Sequence, residues 1–404
     1  MANSILTIDM ITRKSLEILE NNLVLTRNCN RQYDDSFAVE GAKIGSTLRV
    51  RLPDRALVTD GAALQVQDDN EQYTTLTVAS QKHIGVNFTS AELTMQLDDF
   101  AERVLKPRIS QLASSIDADV ASSFQSIYNT VGTPGTTPAT SLVLLQAQQK
   151  LNEYASPMND RYATVNPAAN AGLVEGMKGF FNPTDTISRQ FKQGMMGTGV
   201  LGYDEVNMSQ SIRQFTTGSR ALADTILVNG AVSTQGQATI SIDGGTASAT
   251  VVVGDVFTIA NVFSVNPQTR ESTGSLQQFV VTAANTASSG AWTSIAVSPA
   301  MYTSSNALAT INAFPADNAA VTFVGAASTA YPQNLVYQKN AITFATADLL
   351  LPQGVDMASR QVHNGISLRI VRQYDINNDR MPCRIDVLYG FSVIRAPMAV
   401  RIWG

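Results

Sequence analysis

Histidine and cysteine are scarce in this 404-residue chain, with two of each. Cys29 and Cys383 stand far apart in the sequence, so they offer neither the paired spacing of a zinc site nor a disulfide framework, and redox chemistry has no footing. A Ser-His-Asp or Cys-His mechanism would have to rest on His83 or His363. Neither sits in a nucleophile elbow, and the two do not form a zinc-binding pair at helical spacing. Charge is thin as well: 15% of residues carry one and the net charge is −5. With no Lys/Arg stripe, sequence-specific nucleic-acid binding is not expected. No apolar run approaches the roughly 20 residues that cross a bilayer, and residues 1–11 lack the basic-then-apolar order of an export signal. The expectation is a protein with no cofactor, no metal and no membrane segment, made and kept in the cytoplasm.

The shortage of charge is uneven. Between Thr225 and Asn334 the only charged residues are Asp243, Asp255, Arg270, Glu271 and Asp317. That stretch is Ser, Thr, Ala, Gly and Val, with β-branched or aromatic runs at 248–253, 255–263, 276–282, 292–297 and 320–324, broken by Gly, Asn and Pro. Such punctuation predicts an all-β barrel or sandwich, with Phe257, Ile259, Phe279, Val281, Trp292, Ile295 and Phe323 as core. Helical patterns precede it and mixed sequence follows, which predicts an inserted domain whose ends, near Ala223 and Leu335, lie close together. A chain longer than the about 250–300 residues that one core organises should in any case form several domains.

Along the rest of the chain, Ile8, Ile11, Ile18, Leu19 and Leu23 recur at helical spacing, and residues 28–40 read as an extended polar arm. Residues 47–52 and 73–78 look like two strands of a long excursion with a polar tip, too small to bury a core alone. Pro107 suits the first position of a helix, and Ile109, Leu112, Ala113, Ile116, Val120, Ala121, Phe124, Ile127 and Tyr128 continue it as one apolar stripe. A second helix is predicted over 141–154 and a short strand over 162–165, and residues 172–202 read as glycine-rich loop. After the β segment, strands are expected over 335–344, 366–374, 383–389 and 399–403, with a turn at 375–381.

Apparent chemical motifs do not survive inspection. Gly197-Thr-Gly199-Val-Leu-Gly202 has dinucleotide-binding spacing, but no buried strand precedes it and no helix follows, so a loop is expected. Asp375-Ile-Asn377-Asn-Asp379 with Asp386 resembles a calcium loop, yet Arg380 stands where Gly is required and Asp386 where Glu belongs. The acid pairs Asp34-Asp35, Asp68-Asp69 and Asp98-Asp99 are expected to be solvated or to favour a helix N-terminus.

The N-terminal helix, the arm Asn30-Arg-Gln-Tyr-Asp-Asp-Ser-Phe37, the loop from Gly45 to Pro53, the helix after Pro107 and the closing Arg384-Ile-Asp-Val-Leu-Tyr-Gly390 together resemble the major capsid proteins of tailed bacteriophages. The likeness is to the coat proteins of the phage P-twenty-two type, with an α+β Hong Kong 97-like fold and an inserted all-β domain. It implies an N-terminal helix and arm (1–40), an extended loop with peripheral-domain strands (41–95), a spine helix region (96–130), an axial domain (131–224), the insertion (225–334) and a returning axial and peripheral segment (335–404). It further implies a non-enzymatic subunit of the virion, assembled in the host bacterial cytoplasm into pentamers and hexamers. A scaffolding protein and a portal are its implied partners, and packaged double-stranded DNA would be touched weakly and non-specifically. Some relatives join subunits by a Lys-Asn bond; Lys43 and Lys82 lack matching partners, so no cross-linking is expected. Arg49, Arg51 and Arg55 in the extended loop are candidate intersubunit contacts. A tail-tube or head-decoration protein, and a hydrolase using His83 or His363, are the competing readings.

Overall fold

The structure, a computed structural model, describes residues 8–31, 46–59, 61–64, 66, 71–87, 101–177, 197–220, 226–377 and 381–404. Most of the polar arm, the Asp34-Asp35, Asp68-Asp69 and Asp98-Asp99 pairs, Lys43 and Ala223 lie outside the described residues. Two units divide the chain, each gathered from separate stretches: Met1–Val50, Thr74–Val120 and Ile342–Ile394 in the first, and Arg51–Tyr73, Ala121–Ala341 and Arg395–Gly404 in the second.

In the first unit, helix α1 (Ile8–Asn22) buries Ile11, Leu16 and Leu19, with Leu23 just beyond its end; Ile18 is half-buried at the margin of the stripe. Helix α2 (Lys106–Ala121) buries Ile109, Leu112, Ala113, Ile116 and Val120, as the 3.6-residue spacing requires. The sheet is organised by β21 (Pro382–Val393), which pairs with β3 (Ser80–Asn87) along one flank. It also pairs with β20 (Ile366–Arg372) and, further along, with β18 (Ile342–Thr346). Strand β19 (Met357–His363) adds an edge to β20. Strands β1 (Ser46–Arg51) and β2 (Tyr73–Val78) pair with each other as expected.

The second unit begins where the helix was expected to continue. Instead of running to Tyr128, the winding tightens to a 3-10 turn at Ser122–Ser126 and becomes extended at Ile127. Three serines in this stretch compete for the backbone and weaken an α-helix, while Phe124, Ile127 and Tyr128 stay buried. A sheet follows in the order β4 (Thr130–Val131), β22 (Ala399–Trp403), β17 (Ala330–Gln338), β5 (Arg161–Val165), β7 (Tyr203–Met208), β6 (Gly197–Val200), with β8 (Gln214–Thr216) also on β17. Its Ala163, Val165, Val206, Val336, Val400 and Ile402 face helices α3 (Ser141–Glu153) and α4 (Pro167–Gly176), which supply Leu144, Leu151 and Leu173. Each such leucine contributes about 1.5–3 kcal/mol of burial. Asn166 starts α4 by accepting the Ala169 N–H at 2.8 Å, with Pro167 in the first turn.

Two expectations change here. The glycine motif at 197–202 is a hairpin, β6 to β7, with Gly202 at φ +78° in its turn. The apolar run 335–344 is two strands. It breaks at Lys339-Asn340, where the Gln338 side chain accepts the Asn340 N–H at 2.8 Å, and β17 and β18 go to different sheets.

The charge-poor segment forms a sheet in the order β16 (Val321–Phe323), β12 (Val256–Val265), β13 (Ser272–Val281), β15 (Trp292–Met301), β10 (Gln237–Asp243), β9 (Leu227–Val228). Its two ends meet: Val228 donates to the Ala319 carbonyl, Asn318 to Val228, and Val321 to Ile226, each at 2.9 Å. The sheet therefore closes on itself as a barrel. A small ribbon, β11 (Thr250–Val251) with β14 (Asn285–Thr286), lies beside it. Phe257, Ile259, Phe279, Val281, Trp292 and Ile295 are fully buried in its core, and Phe323 packs against them. The barrel joins its host through a stem in which Phe215 pairs with Tyr331 and the Thr217 N–H donates to the Thr329 carbonyl at 3.1 Å.

Candidate functional site

The two histidines lie on different strands, His83 on β3 and His363 on β19. His83 is an exposed residue of β3, and His363 Nδ1 lies 2.8 Å from Glu20 Oε2, whose other oxygen accepts Asn364 Nδ2 at 2.5 Å. Among the described residues no group of His, Cys, Asp or Glu could hold a metal ion, and no helix is long and apolar enough to cross a membrane. Asp386, the end of the calcium-like motif, is buried in β21 between Arg369, at 2.6 Å, and Arg384. At the motif's start, the Asp375 side chain accepts the Asn377 N–H at 3.0 Å, a polar turn. Both cysteines are buried free thiols; burial pushes Cys29 well up and Cys383 up to about 12.

Lys82, a candidate for cross-linking, is engaged inside the first unit. Its ammonium is 2.6 Å from Asp119 of α2 and donates to Ser115, while the Tyr389 hydroxyl donates to the same Asp119 oxygen at 2.7 Å. The sequence pattern gave no sign of Asp117 on that helix. Its carboxylate, 2% exposed, accepts the Val24 N–H at 2.7 Å, the Thr26 N–H at 3.0 Å and the Thr26 hydroxyl at 2.5 Å.

Of the loop arginines, Arg49 is exposed, Arg51 lies 3.2 Å from Glu71 across the excursion, and Arg55 is half-buried. Burial pushes the nearby Tyr128 hydroxyl well up, against the opposing charge of Arg55. The excursion carries apolar side chains into solvent: Val58, Leu64 and Val66 are 82%, 89% and 85% exposed.

The second unit holds three buried arginines that the sequence reading also missed, Arg161, Arg220 and Arg401, and the last two meet at the foot of β12. On β22, Val400 and Ile402 face the helices, so alternation turns Arg401 to the opposite face with Trp403 and with Gln333 of β17. Arg401 is fully buried, its guanidinium 4.9 Å from the Trp403 ring centre, 5.1 Å from Phe124 and 5.3 Å from Phe215. It donates to Gln333 Oε1 at 2.8 and 3.0 Å and to the Gly254 carbonyl, just before β12, at 2.8 Å. Burial lowers its pKa to about 9, opposed by the field of Asp255, which leaves it a cation at neutral pH. Arg220 pairs with Asp255 through Nη1, donates to the Val324 carbonyl at 2.8 Å and stacks 4.5 Å from the Phe323 ring. Asp255 also accepts the N–H groups of Val252 at 2.9 Å and Gly218 at 3.2 Å. These clusters fasten elements together; among the described residues none pairs a nucleophile with a base in an open cleft.

The family described as "P22 coat protein - gene protein 5" matches residues 1–404. Similar solved structures include Mycobacterium phage Che8 (11% identity, 94% of this chain and 90% of that chain, TM-score 0.47) and the capsid of Cyanophage P-SCSP1u (11% identity, 90% and 84%, TM-score 0.40). The CUS-3 coat protein I-domain is 30% identical over 25% of this chain and 96% of its own, with a TM-score of 0.20. No curated protein sequence matches. The full-length family match shows that the chain belongs to the P22 coat protein family and is a bacteriophage major capsid protein with a Hong Kong 97-like fold.

Proposed function

We propose that copies of this chain form the pentamers and hexamers of an icosahedral head around double-stranded DNA, working through intersubunit contacts and not through an active site. The observation that carries this is the β1–β2 excursion, which projects Val58, Leu64 and Val66 into solvent with no core of its own. Apolar side chains so displayed are covered when a second copy is present. Arg49, Arg51 and Arg55 belong to this contact, with Arg51 free to share Glu71 or exchange it for an acid of the neighbouring copy. Each such exposed pair contributes only about 0–1 kcal/mol, so the apolar residues supply the affinity and the charges the register.

In this reading the 1–40 arm and the 41–95 loop reach across neighbours, the 96–130 spine and the 131–224 and 335–404 segments form the shell wall, and 225–334 is an inserted domain. Assembly takes place in the host cytoplasm with a scaffolding protein and a portal, and DNA is contacted weakly, since the chain carries net charge −5. Covalent joining of subunits is not part of this reading, and the engagement of Lys82 by Asp119 supports it for that lysine. Electron microscopy of the purified assemblies tests the shell, with tubes or unassembled oligomers refuting it. Hydrogen exchange tests the loop: residues 46–87 should slow on assembly, and equal rates in monomer and shell would refute the contact.

A further inference from the structure

The barrel has its own core and closes on itself, and its covalent tie to the host is the stem at Thr217 and Thr329. A two-strand stem alone is a hinge. Yet the turn Gly254-Asp255, at the foot of β12, is gripped by two buried arginines that belong to neither the core of the barrel nor the helix-covered face of the host. We propose that Arg401 and Arg220 lock the barrel on its host sheet at one angle, so that every copy entering a shell presents the barrel identically; the second clause rests on the shell reading above.

The chemistry of Arg401 supports a positioning role. Among the described residues no carboxylate pairs with it; it is held by the Gly254 carbonyl, Gln333 and three ring faces. Burying a cation in this way is a poor route to stability but a good one to specificity, because a planar fork fixed between rings and a carbonyl admits few orientations. Arg220 acts from the stem side, joining the barrel's Asp255 to the segment that follows β8 and reaching Val324 beyond β16. A third grip lies on the other flank of the β12–β13 hairpin. There the Gln278 amide accepts the Thr130 N–H at 2.7 Å and donates to the Thr130 carbonyl at 3.0 Å, as a neighbouring strand would, and the Tyr154 hydroxyl donates to Gln277 at 3.0 Å. Three separated grips on one rigid barrel fix its rotation as well as its position.

The experiment uses the full chain, spin-labelled through the exposed substitutions Ser304→Cys in the barrel and Gln149→Cys on α3, the native thiols being buried. The unmodified lock should give one narrow distance distribution by pulsed electron resonance. Arg401→Met, which keeps the bulk, and Arg401→Lys, which keeps only the charge, should both widen it. Amides at 252–255 should exchange about tenfold faster or more, while those of β12, β13 and β15 are unchanged. A distribution as narrow as wild type in both variants would overturn the lock, as would equal acceleration throughout the barrel core, which would mark Arg401 as merely structural. If Arg401→Met does not fold, Gln278→Leu with Arg401→Lys carries the same test. Electron microscopy of the assembled variants should show shells of mixed size or curvature. Uniform shells from a loosened barrel would leave the lock standing and overturn its role in assembly.

Discussion

Replacing Asp117 with alanine removes the acceptor that holds the chain leaving α1. Val24 N–H, Thr26 N–H and the Thr26 hydroxyl lose their partner, and Leu25 N–H, at 3.4 Å, loses a weak one. Each stranded buried donor costs about 1–3 kcal/mol. Val24 is only partly buried, so water admitted into the vacated space recovers some of this, and a net loss of about 4 kcal/mol is expected. For a unit of this size that lowers Tm by about 8–16 °C. Asp117→Asn should fall between, because one amide oxygen is kept while the NH2 group meets donors. Far-UV circular dichroism of the full chain follows both units, whereas Trp292 and Trp403 both lie in the second. The expected result is an early loss of dichroism that tryptophan fluorescence does not share. A Tm within about 1 °C of wild type for Asp117→Ala would refute the reasoning, since that shift corresponds to less than one lost hydrogen bond.

Glu20 is expected to make stability acid-sensitive. Burial raises its pKa, but hydrogen bonds from Asn364 and His363 outweigh it and the net direction is down from 4.5. Its contribution is therefore present above 4.5 and lost as pH falls through the lower native value, so urea midpoints of wild type and Glu20→Gln should differ at pH 7 and converge in acid. Cys29 and Cys383 should ignore a disulfide reagent at pH 8 in the native chain and both react in urea, given their buried, upward-shifted thiols; rapid native labelling would contradict that. Gly390→Ala would drive a methyl group into the Thr77 backbone and should cost about 3 kcal/mol, read as a loss of soluble yield and Tm; a wild-type melting curve would show that the two strands can separate there.

Where local pattern decides structure, the sequence was readable. The stripe from Ile109 to Val120 made α2, the alternation at 366–372 and 383–389 made β20 and β21, and the seven aromatic and branched residues chosen for the β domain all lie in or against its core. The reading failed where the cause is distant. Nothing but a Lys-Asn pair marks the division of 335–344 between two sheets, and strands β3, β10 and β19 carry too few alternating apolar residues to announce themselves. Asp117 looks like one more polar residue beside Ile116, because its partners are ninety residues away in the chain. Arg401 did leave a signal: a charge flanked by Val400 and Ile402 inside a closing strand must either face water or find an unusual pocket. Which of the two applies depends on Phe124, Phe215 and Gly254, and no spacing rule connects them.

The stem has a mechanical consequence. Strand β17 carries the barrel's return connection at its Ala330 end and is bonded on both flanks, to β22 and to β5. A load pulling on the barrel along that strand stresses two ladders in shear, where the bonds stretch in parallel and must fail together. Had the barrel hung from the edge strand β6, the same load would peel one bond at a time. Force arriving at the barrel thus enters its host along the line where that sheet yields last.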